Sequence, residues 1–250
     1  KKKNLFPKRL YLYNNDFGYD NKEEIIKYYK KAIDLGNTDS MNNYGLMIMD
    51  GNADVFDKKE AYKYLKMAID NGDDEAISSY AYAISHNEIN KEESIKFYKI
   101  AIEKGDTVAM NNYGHMLLHG IGVEKNEIEA IKYFKMAIEK GDSDAMNNYA
   151  YMLRTGCGIP IDIKKAVEYY KMAINLGNID SMNNYAYMLN TGEGIDANIE
   201  ESAKYYKMAA DKGSSFAMNN YANILQNGEG IECDIEEAFK YFKMAIEKGN

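Results

Sequence analysis

Met146-Asn147-Asn148-Tyr149 is one of six closely similar segments that recur along this chain. The other five are Met41-Asn42-Asn43-Tyr44, Ile77-Ser78-Ser79-Tyr80, Met110-Asn111-Asn112-Tyr113, Met182-Asn183-Asn184-Tyr185 and Met218-Asn219-Asn220-Tyr221. Successive segments are separated by 36, 33, 36, 36 and 36 residues. Repetition at this period is typical of a helical solenoid, in which each unit buries its apolar face against its neighbours. The repeat therefore predicts an all-α binding scaffold.

The unit from Gly141 to Gly177 has the pattern of two helices joined by a loop. Apolar residues at helical spacing predict a first helix, helix A, over residues 144–155. The turn Gly156-Cys157-Gly158 then ends this helix, and Asp162 has the position and chemistry of an N-cap for a second helix, helix B. We read both glycines as structural, because no lysine of a phosphate-binding loop follows them.

Most units also place a glutamate three residues after the residue that caps helix B. The pairs are Asn21/Glu24, Asp57/Glu60, Asn90/Glu93, Asn126/Glu129, Asn198/Glu201 and Asp234/Glu237. In a capping box, the cap side chain and the glutamate side chain each accept a hydrogen bond from the backbone N–H of the other residue. We therefore expect reciprocal capping boxes at the start of helix B.

The array is predicted to be continuous but uneven. A degenerate half-repeat occupies residues 1–20, and about six and a half repeats fill residues 21–250. The unit that contains Ser78-Ser79 is shorter, and its crossover lacks both loop glycines. Because the array stops after a helix B with no polar terminal helix, we expect a piece of a longer protein or an end that contacts another surface.

Composition and charge narrow the classes of function. The chain has 250 residues, 46% of them hydrophobic, and a net charge of −8. Its lysines form no basic stripe, so we expect no nucleic-acid partner. No apolar run approaches the roughly 20 residues that span a bilayer, and no signal peptide is visible, so we expect a cytoplasmic protein without a membrane partner. Cys157 and Cys233 lie in loops of non-adjacent repeats, too far apart to bridge, which agrees with a reducing compartment.

The unit resembles the Sel1-like repeat, a relative of the tetratricopeptide repeat with a longer loop inside the unit. The matching features are a Gly-x-Gly turn followed by a branched residue, an aspartate cap, an aromatic pair and a closing glycine. In this unit they are Gly156-Cys157-Gly158-Ile159, Asp162, Tyr169-Tyr170 and Gly177. The turn recurs at Gly120/Gly122, Gly192/Gly194 and Gly228/Gly230. The likeness extends over about residues 21–250.

The resemblance implies an all-α, right-handed superhelical solenoid of helix-turn-helix Sel1-like repeats, with helix A lining its concave face. Proteins similar to this are mostly adaptors that gather partners in signalling or protein-quality-control assemblies, and they are rarely catalysts. Tyr149 stands where the family usually has leucine, and Leu153 where it often has tyrosine. The composition rich in tyrosine, asparagine and lysine resembles arrays in protist proteins, some of which also carry kinase domains.

Helical spacing places three rows of side chains on the face of helix A opposite the core. The first, the asparagine row, is Asn42, Ser78, Asn111, Asn147, Asn183 and Asn219. The second, the tyrosine row, is Leu46, Tyr82, His115, Tyr151, Tyr187 and Asn223. The third row is Asp50, His86, His119, Thr155, Thr191 and Asn227. We predict that the asparagine row binds the backbone of an extended peptide and that the tyrosine row sets side-chain preference.

A structural role is equally open for the asparagine row, because a residue that recurs in most units is often one that the repeat itself needs. We expect the neighbouring Asn148 column to bond to backbone rather than to a ligand. The methionine column of Met146, Met152 and Met172 is expected to fill the core.

Three histidines, His86, His115 and His119, map to the same face of helix A. His115 and His119 have the i, i+4 spacing that can chelate zinc. No carboxylate or thiolate lies at a matching position, so we predict partner contact or solvation instead of a metal site. A metal-dependent module centred on these histidines remains an alternative.

Catalysis is not predicted, because no nucleophile, acid–base pair or cofactor motif is present. We therefore expect neither an enzyme nor a cofactor, but a scaffold for protein or peptide partners. Self-assembly is a further alternative, with the array joining end to end through Phe239, Phe242 and Ile246 of the last helix B.

Overall fold

The computed structural model describes residues 22–49, 51, 57–85 and 91–248, and these residues form thirteen α-helices and no strand. Odd-numbered helices are B helices and even-numbered helices are A helices. The helices are α1 Lys22–Asp34, α2 Thr38–Met49, α3 Lys58–Asp70, α4 Glu75–Ser85, α5 Lys91–Glu103, α6 Thr107–His119, α7 Glu127–Glu139, α8 Ser143–Thr155, α9 Ile163–Asn175, α10 Ile179–Thr191, α11 Ile199–Asp211, α12 Ser215–Asn227 and α13 Ile235–Glu247. Helix A of the type unit begins one residue before its predicted start, and the all-α repeat solenoid is confirmed.

The chain divides into two compact units, residues 1–130 and residues 131–250, and the boundary falls within α7. In the first unit, α2 packs against α3 and α4 against α5. In the second unit, α8 packs against α9, α10 against α11 and α12 against α13. In these five pairs, helix A makes its largest contact with the helix B that follows it. No helix in the described part of the chain is long and apolar enough to cross a membrane.

Alanine at fixed positions allows the helices to approach closely. Ala145 of α8 and Ala166 and Ala173 of α9 have no exposed surface. Beside them, Tyr149 packs edge-on against Tyr169, with ring centroids 5.0 Å apart. An aromatic pair of this geometry adds roughly 0.5–1.5 kcal/mol beyond the area it buries. The same pair recurs as Tyr44–Tyr64, Tyr185–Tyr205 and Tyr221–Tyr241.

The crossover from helix A to helix B depends on glycine. Gly156 ends α8 in the left-handed conformation, with φ of 76°, and its N–H donates to the carbonyl of Met152. Gly194 also has a positive φ, 73°, and a Cβ at this position would lie 2.9 Å from Cγ1 of Ile163. The structural role predicted for the loop glycines is confirmed at these positions, because a side chain would be both strained and obstructed.

The predicted reciprocal capping boxes are only half formed. Asn198 accepts from the backbone N–H of Glu201 at 3.0 Å, as predicted. The backbone N–H of Asn198, however, donates to the carbonyl of Leu189 in the preceding helix A, at 2.8 Å. Glu201 instead accepts a hydrogen bond of 3.4 Å from the Asn198 side-chain amide. The reciprocal half is missing because the backbone N–H of Asn198, at the end of the crossover, already donates to a carbonyl of the preceding helix A.

The methionine column is also only partly in the core. Met146 and Met152 are buried, whereas 47% of Met172 is exposed, so its assignment to the core is wrong. Met172 therefore leaves about half of its surface open to solvent. Several predictions lie outside the described residues: the half-repeat, the short crossover at 86–90 and the caps at Asn21 and Asn90.

Candidate partner-binding surface

In the second unit, the asparagine row connects successive A helices. The side-chain oxygen of Asn147 in α8 accepts from Ser181 Oγ at 3.1 Å and from Asn184 Nδ2 at 2.9 Å, both in α10. Asn183 Nδ2 in turn donates to Ser214 Oγ at 3.1 Å, and Ser214 is the N-cap of α12. Each asparagine therefore contacts the helix A of the next repeat.

The first unit repeats this contact with a different side chain. Ser78 replaces the asparagine in α4, and its hydroxyl donates to Asp106 Oδ2 at 2.6 Å. Asp106 is the N-cap of α6. A hydrogen bond from the row to the N-cap of the next helix A is therefore common to both units.

The asparagine row is less open than the sequence predicted. Asn42 and Asn111 are buried, with 8% and 9% of their surface exposed, and Asn147, Asn183 and Asn219 are half-buried. The expectation that this row faces open solvent is wrong for these two residues and for Ser78, of which 4% is exposed. The helical spacing in the sequence shows which side of helix A packs against helix B. It does not show that the helix A of the next repeat covers a further part of the surface, which includes the asparagine row. Binding of a peptide by this row stays a prediction.

The tyrosine row is the accessible one. In the first unit, Tyr82 is 37% exposed and His115 is also exposed. In the second unit, Tyr151 and Tyr187 are 40% and 42% exposed, and Asn223 is exposed as well. Large aromatic side chains with this much exposed surface add little to the core and are available to a partner.

Arg154 lies between the two exposed tyrosines of the second unit. Its guanidinium carbon is 5.4 Å from the ring centroid of Tyr151 and 5.8 Å from that of Tyr187. Its Nη1 donates to Glu193 Oε2 at 3.0 Å. Burial raises the pKa of the nearby Tyr170 phenol to about 12, against the opposing effect of the Arg154 charge. This charged centre in an otherwise neutral row was missed by sequence reasoning.

A signal for Arg154 was present in the repeats. Residues 146–155 and 182–191 are identical except that Arg154 is replaced by Asn190. The partner Glu193 could not be found in this way, because it lies 39 residues along the chain in the next crossover.

The histidines are tested only in part, because His86 lies outside the described residues. The rings of His115 and His119 are 4.4 Å apart between centroids. Although the residue is exposed as a whole, partial desolvation of its ring, and then the neighbouring His119, lower the pKa of His115 below its ordinary value of 6.5. Within the described ranges, no group of three or more His, Cys, Asp or Glu side chains could hold a metal ion.

Fold and surface together define a helical repeat protein that presents a polar, aromatic row on its A helices. The Sel1 repeat matches seven segments, residues 22–37, 38–73, 84–106, 107–142, 143–178, 179–214 and 215–250. The chain therefore belongs to the Sel1 repeat family, as its turns and caps predicted.

Two solved structures of similar fold come from bacteria. A protective antigen of uropathogenic Escherichia coli with a Sel1-like fold is 26% identical, with a TM-score of 0.62 over 90% of this chain. This chain spans 49% of that antigen's length. A Sel1 repeat protein from Oxalobacter formigenes is 27% identical, with a TM-score of 0.57 over 92% of this chain and 85% of its own.

A third structure shows the fold alone. An immunity protein from Pseudomonas aeruginosa has a TM-score of 0.66 at 13% identity, over 84% of this chain and 81% of its own. A comparison with curated protein sequences found no significant match. Sel1 repeats are commonly protein-interaction scaffolds and are typically not catalysts.

Proposed function

We propose that this chain is a non-catalytic adaptor that binds an extended peptide or a segment of a partner protein on the tyrosine row. The observation that carries the proposal is the exposure of Tyr151 and Tyr187 at one position of successive A helices. Tyrosine supplies a large amphipathic contact at low entropic cost, which is why it is enriched in recognition surfaces.

The asparagine row supports this surface from below in the proposal. Its hydrogen bonds to the next helix A hold Asn147 and Asn183 in place in the free protein. A surface that is ordered before binding loses less conformational entropy when a partner arrives. Each of these amides uses at least one polar atom in the contact between repeats. We propose that the other polar atom, where it is open to solvent, binds the peptide backbone.

The compartment we propose is the cytoplasm. Neither Cys157 nor Cys233 forms a disulfide bond, and Cys233 is exposed. Unpaired, accessible cysteine persists where glutathione and thioredoxin keep thiols reduced.

The test is a comparative pull-down from lysate with the wild-type chain and with Tyr151→Ala/Tyr187→Ala. A matched control is Met172→Ala/Met208→Ala, which removes two side chains 47% and 36% exposed at corresponding positions of successive B helices. We expect partners retained by the wild type and by the methionine variant to be lost from the tyrosine variant. Equal retention by all three folded proteins would overturn the proposal.

Self-assembly through α13 is the second candidate. Phe239 and Ile246 are each 71% exposed, and Phe242 is half-buried. Exposed apolar side chains of this size on one helix are typical of a contact surface. Light scattering should then show a mass that rises with concentration in the wild type and not in Phe239→Ser/Ile246→Ser. A monomer of constant mass would remove this candidate.

A further inference from the structure

Arg154 occupies an unusual position for a charged residue of this surface. Only 11% of its side chain is exposed, although it lies between two tyrosines that are open to solvent. Among the described residues of the three helix-A rows, histidine apart, no side chain carries a positive charge. Arg154 lies one position before Thr155 of the third row. Its guanidinium is therefore a permanent positive charge beside the tyrosine row of the second unit.

The guanidinium has hydrogen-bonding capacity that the protein does not use. An arginine carries five N–H donors in a planar fork. Glu193 accepts from Nη1, whereas the buried Nε has no acceptor among the described residues. The hydroxyl of Tyr170 is buried beside the same guanidinium and interacts with Arg154, although the two groups form no well-aligned hydrogen bond. Glu193 thus uses one of the five donors, and a ligand oxygen can add hydrogen bonds at the part of the guanidinium that remains exposed.

Packing of the repeat does not require an arginine here. The helix-A segments 146–155 and 182–191 differ only at Arg154 and Asn190. The B-helix tyrosines that follow them, Tyr170 and Tyr206, are both buried. Since the repeat with asparagine forms the same helices and the same core, the charge of Arg154 needs an explanation other than folding.

We propose that Arg154, Tyr151 and Tyr187 form a subsite for a carboxylate, supplied by an aspartate or glutamate side chain of the bound peptide, with Glu193 as the exchangeable counter-ion. The proposal rests on the proposed function and names the chemistry of its ligand. A guanidinium binds a carboxylate through two parallel hydrogen bonds. Aromatic rings on either side stabilise the guanidinium through cation–π contacts and keep it in place. Glu193 is 43% exposed at its side chain, so it can leave without opening the core.

Charge makes this subsite selective. The chain carries a net charge of −8, so an acidic peptide is repelled by most of its surface. A single arginine between two tyrosines then offers one favourable register for a carboxylate and no general affinity for acidic sequences.

The experiment begins with selection of displayed random 12-residue peptides on the wild-type chain. Selected peptides are synthesised with amidated C-termini, once as found and once with each acidic residue changed to its amide. We expect one Glu→Gln or Asp→Asn change to weaken binding to the wild type by about tenfold, as for loss of a charge-assisted hydrogen bond. The same change should have little effect on Arg154→Asn, whose α8 segment then matches that of α10.

Two further arms separate the outcomes. Glu193→Gln removes the competing carboxylate and should tighten binding of the acidic peptide while leaving the amide version unaffected. Binding that depends on Tyr151 and Tyr187 but not on any peptide carboxylate would overturn the subsite and leave the adaptor function standing. Binding that requires a free C-terminal carboxylate would reassign the ligand group and overturn the side-chain proposal. If no selected peptide depends on the tyrosine row, the adaptor function and the subsite both fail.

Discussion

At the scale of single residues, the carboxamide of Asn147 explains why one amino acid recurs through the array. It accepts from both Ser181 and Asn184 of the next repeat, and Ser181 has no exposed surface. A buried hydroxyl that loses its acceptor costs more than the bond itself contributed. Asn147 and Asn183 are therefore held by contacts between repeats, whereas the buried Oδ1 of Asn42 has no hydrogen-bond partner in the described part of the chain.

Replacing Asn147 with leucine should lower the free energy of unfolding by about 1–3 kcal/mol, because the Ser181 hydroxyl and the Asn184 amide lose their acceptor. Asn223→Leu makes the same chemical change at an exposed position and should alter stability by no more than about 0.5 kcal/mol. Urea denaturation followed by circular dichroism measures both. Equal midpoints for the two variants would show that the amide contributes nothing to stacking.

A second residue-scale pattern links helix A to the aromatic core. Where helix B carries a buried tyrosine, as at Tyr98 and Tyr170, the helix-A residue before it is polar, Ser85 or Arg154. Where helix B carries Leu65, that position is Met49. A polar neighbour thus accompanies each of these buried hydroxyls, although Gln226 before Phe242 shows that a polar residue also occurs there without one.

Tyr170→Phe and Tyr98→Phe should have opposite effects. The Tyr170 hydroxyl meets only the guanidinium of Arg154, without a well-aligned hydrogen bond, so its removal should leave stability unchanged or raise it by up to about 1 kcal/mol. The Tyr98 hydroxyl interacts with Ser85 and Asn112, so its removal should cost about 1 kcal/mol. Thermal unfolding distinguishes the two, and a larger loss for Tyr170→Phe would contradict the assignment.

At the scale of elements, the crossover is the part of the repeat with the narrowest tolerance. The second glycine of its turn combines a left-handed backbone with contact to the preceding helix B, as Gly194 does with Ile163. Glycines that follow a helix B, such as Gly141, share the positive φ but have nothing within 4 Å of a Cβ. A substitution at Gly141 would thus test backbone strain alone, whereas one at Gly194 would test strain together with close approach of a neighbouring side chain.

Gly194→Ala should therefore destabilise the chain more than Gly141→Ala. Both changes place an L-residue in the left-handed region, at a cost of roughly 1–2 kcal/mol. Only Gly194→Ala must also move Ile163, whose Cγ1 would lie 2.9 Å from the new Cβ. Denaturation midpoints measured side by side give the difference, and identical midpoints would mean that the crossover adapts freely.

The histidine pair of α6 gives a pH-dependent prediction at the same scale. Since burial and His119 lower the pKa of His115, the folded chain disfavours its protonation more than the unfolded chain does. The contribution of His115 to stability is therefore present above pH 6.5 and falls as the pH drops below it. NMR titration should show His115 titrating below 6.5, and His119→Gln should move its pKa upward. A pKa unaffected by that change would exclude the charge of His119 as a cause.

At the scale of the whole molecule, repetition makes stability a sum of neighbour contacts. In a solenoid each repeat interacts with the repeats beside it. A substitution that weakens one interface should therefore destabilise the neighbouring repeats most and distant repeats least. The same repetition places the tyrosine row at one position of every helix A and lets single substitutions, such as Arg154, give one repeat its own chemistry.

Hydrogen exchange should show this locality. Asn183→Leu removes a hydrogen bond between α10 and the N-cap of α12, so amide protection should fall first in α10 to α12. The effect should decline with distance along the chain and be smallest in α2 and α3. A uniform loss of protection in all helices would show instead that the array unfolds as one cooperative body.

The amino-acid sequence by itself determined the repeat period, the helices, the glycine turns and the N-caps. Each of these depends on groups within a few positions of one another, such as Asn198 and Glu201, whose hydrogen bonding and sterics do not need the rest of the fold. Tertiary structure decided which row of helix A is open. Asn147 meets Ser181 across 34 residues, Arg154 meets Glu193 across 39, and the N–H of Asn198 bonds to a helix-A carbonyl in place of its glutamate. These contacts join one repeat to the next, so they exist only once the helices are stacked.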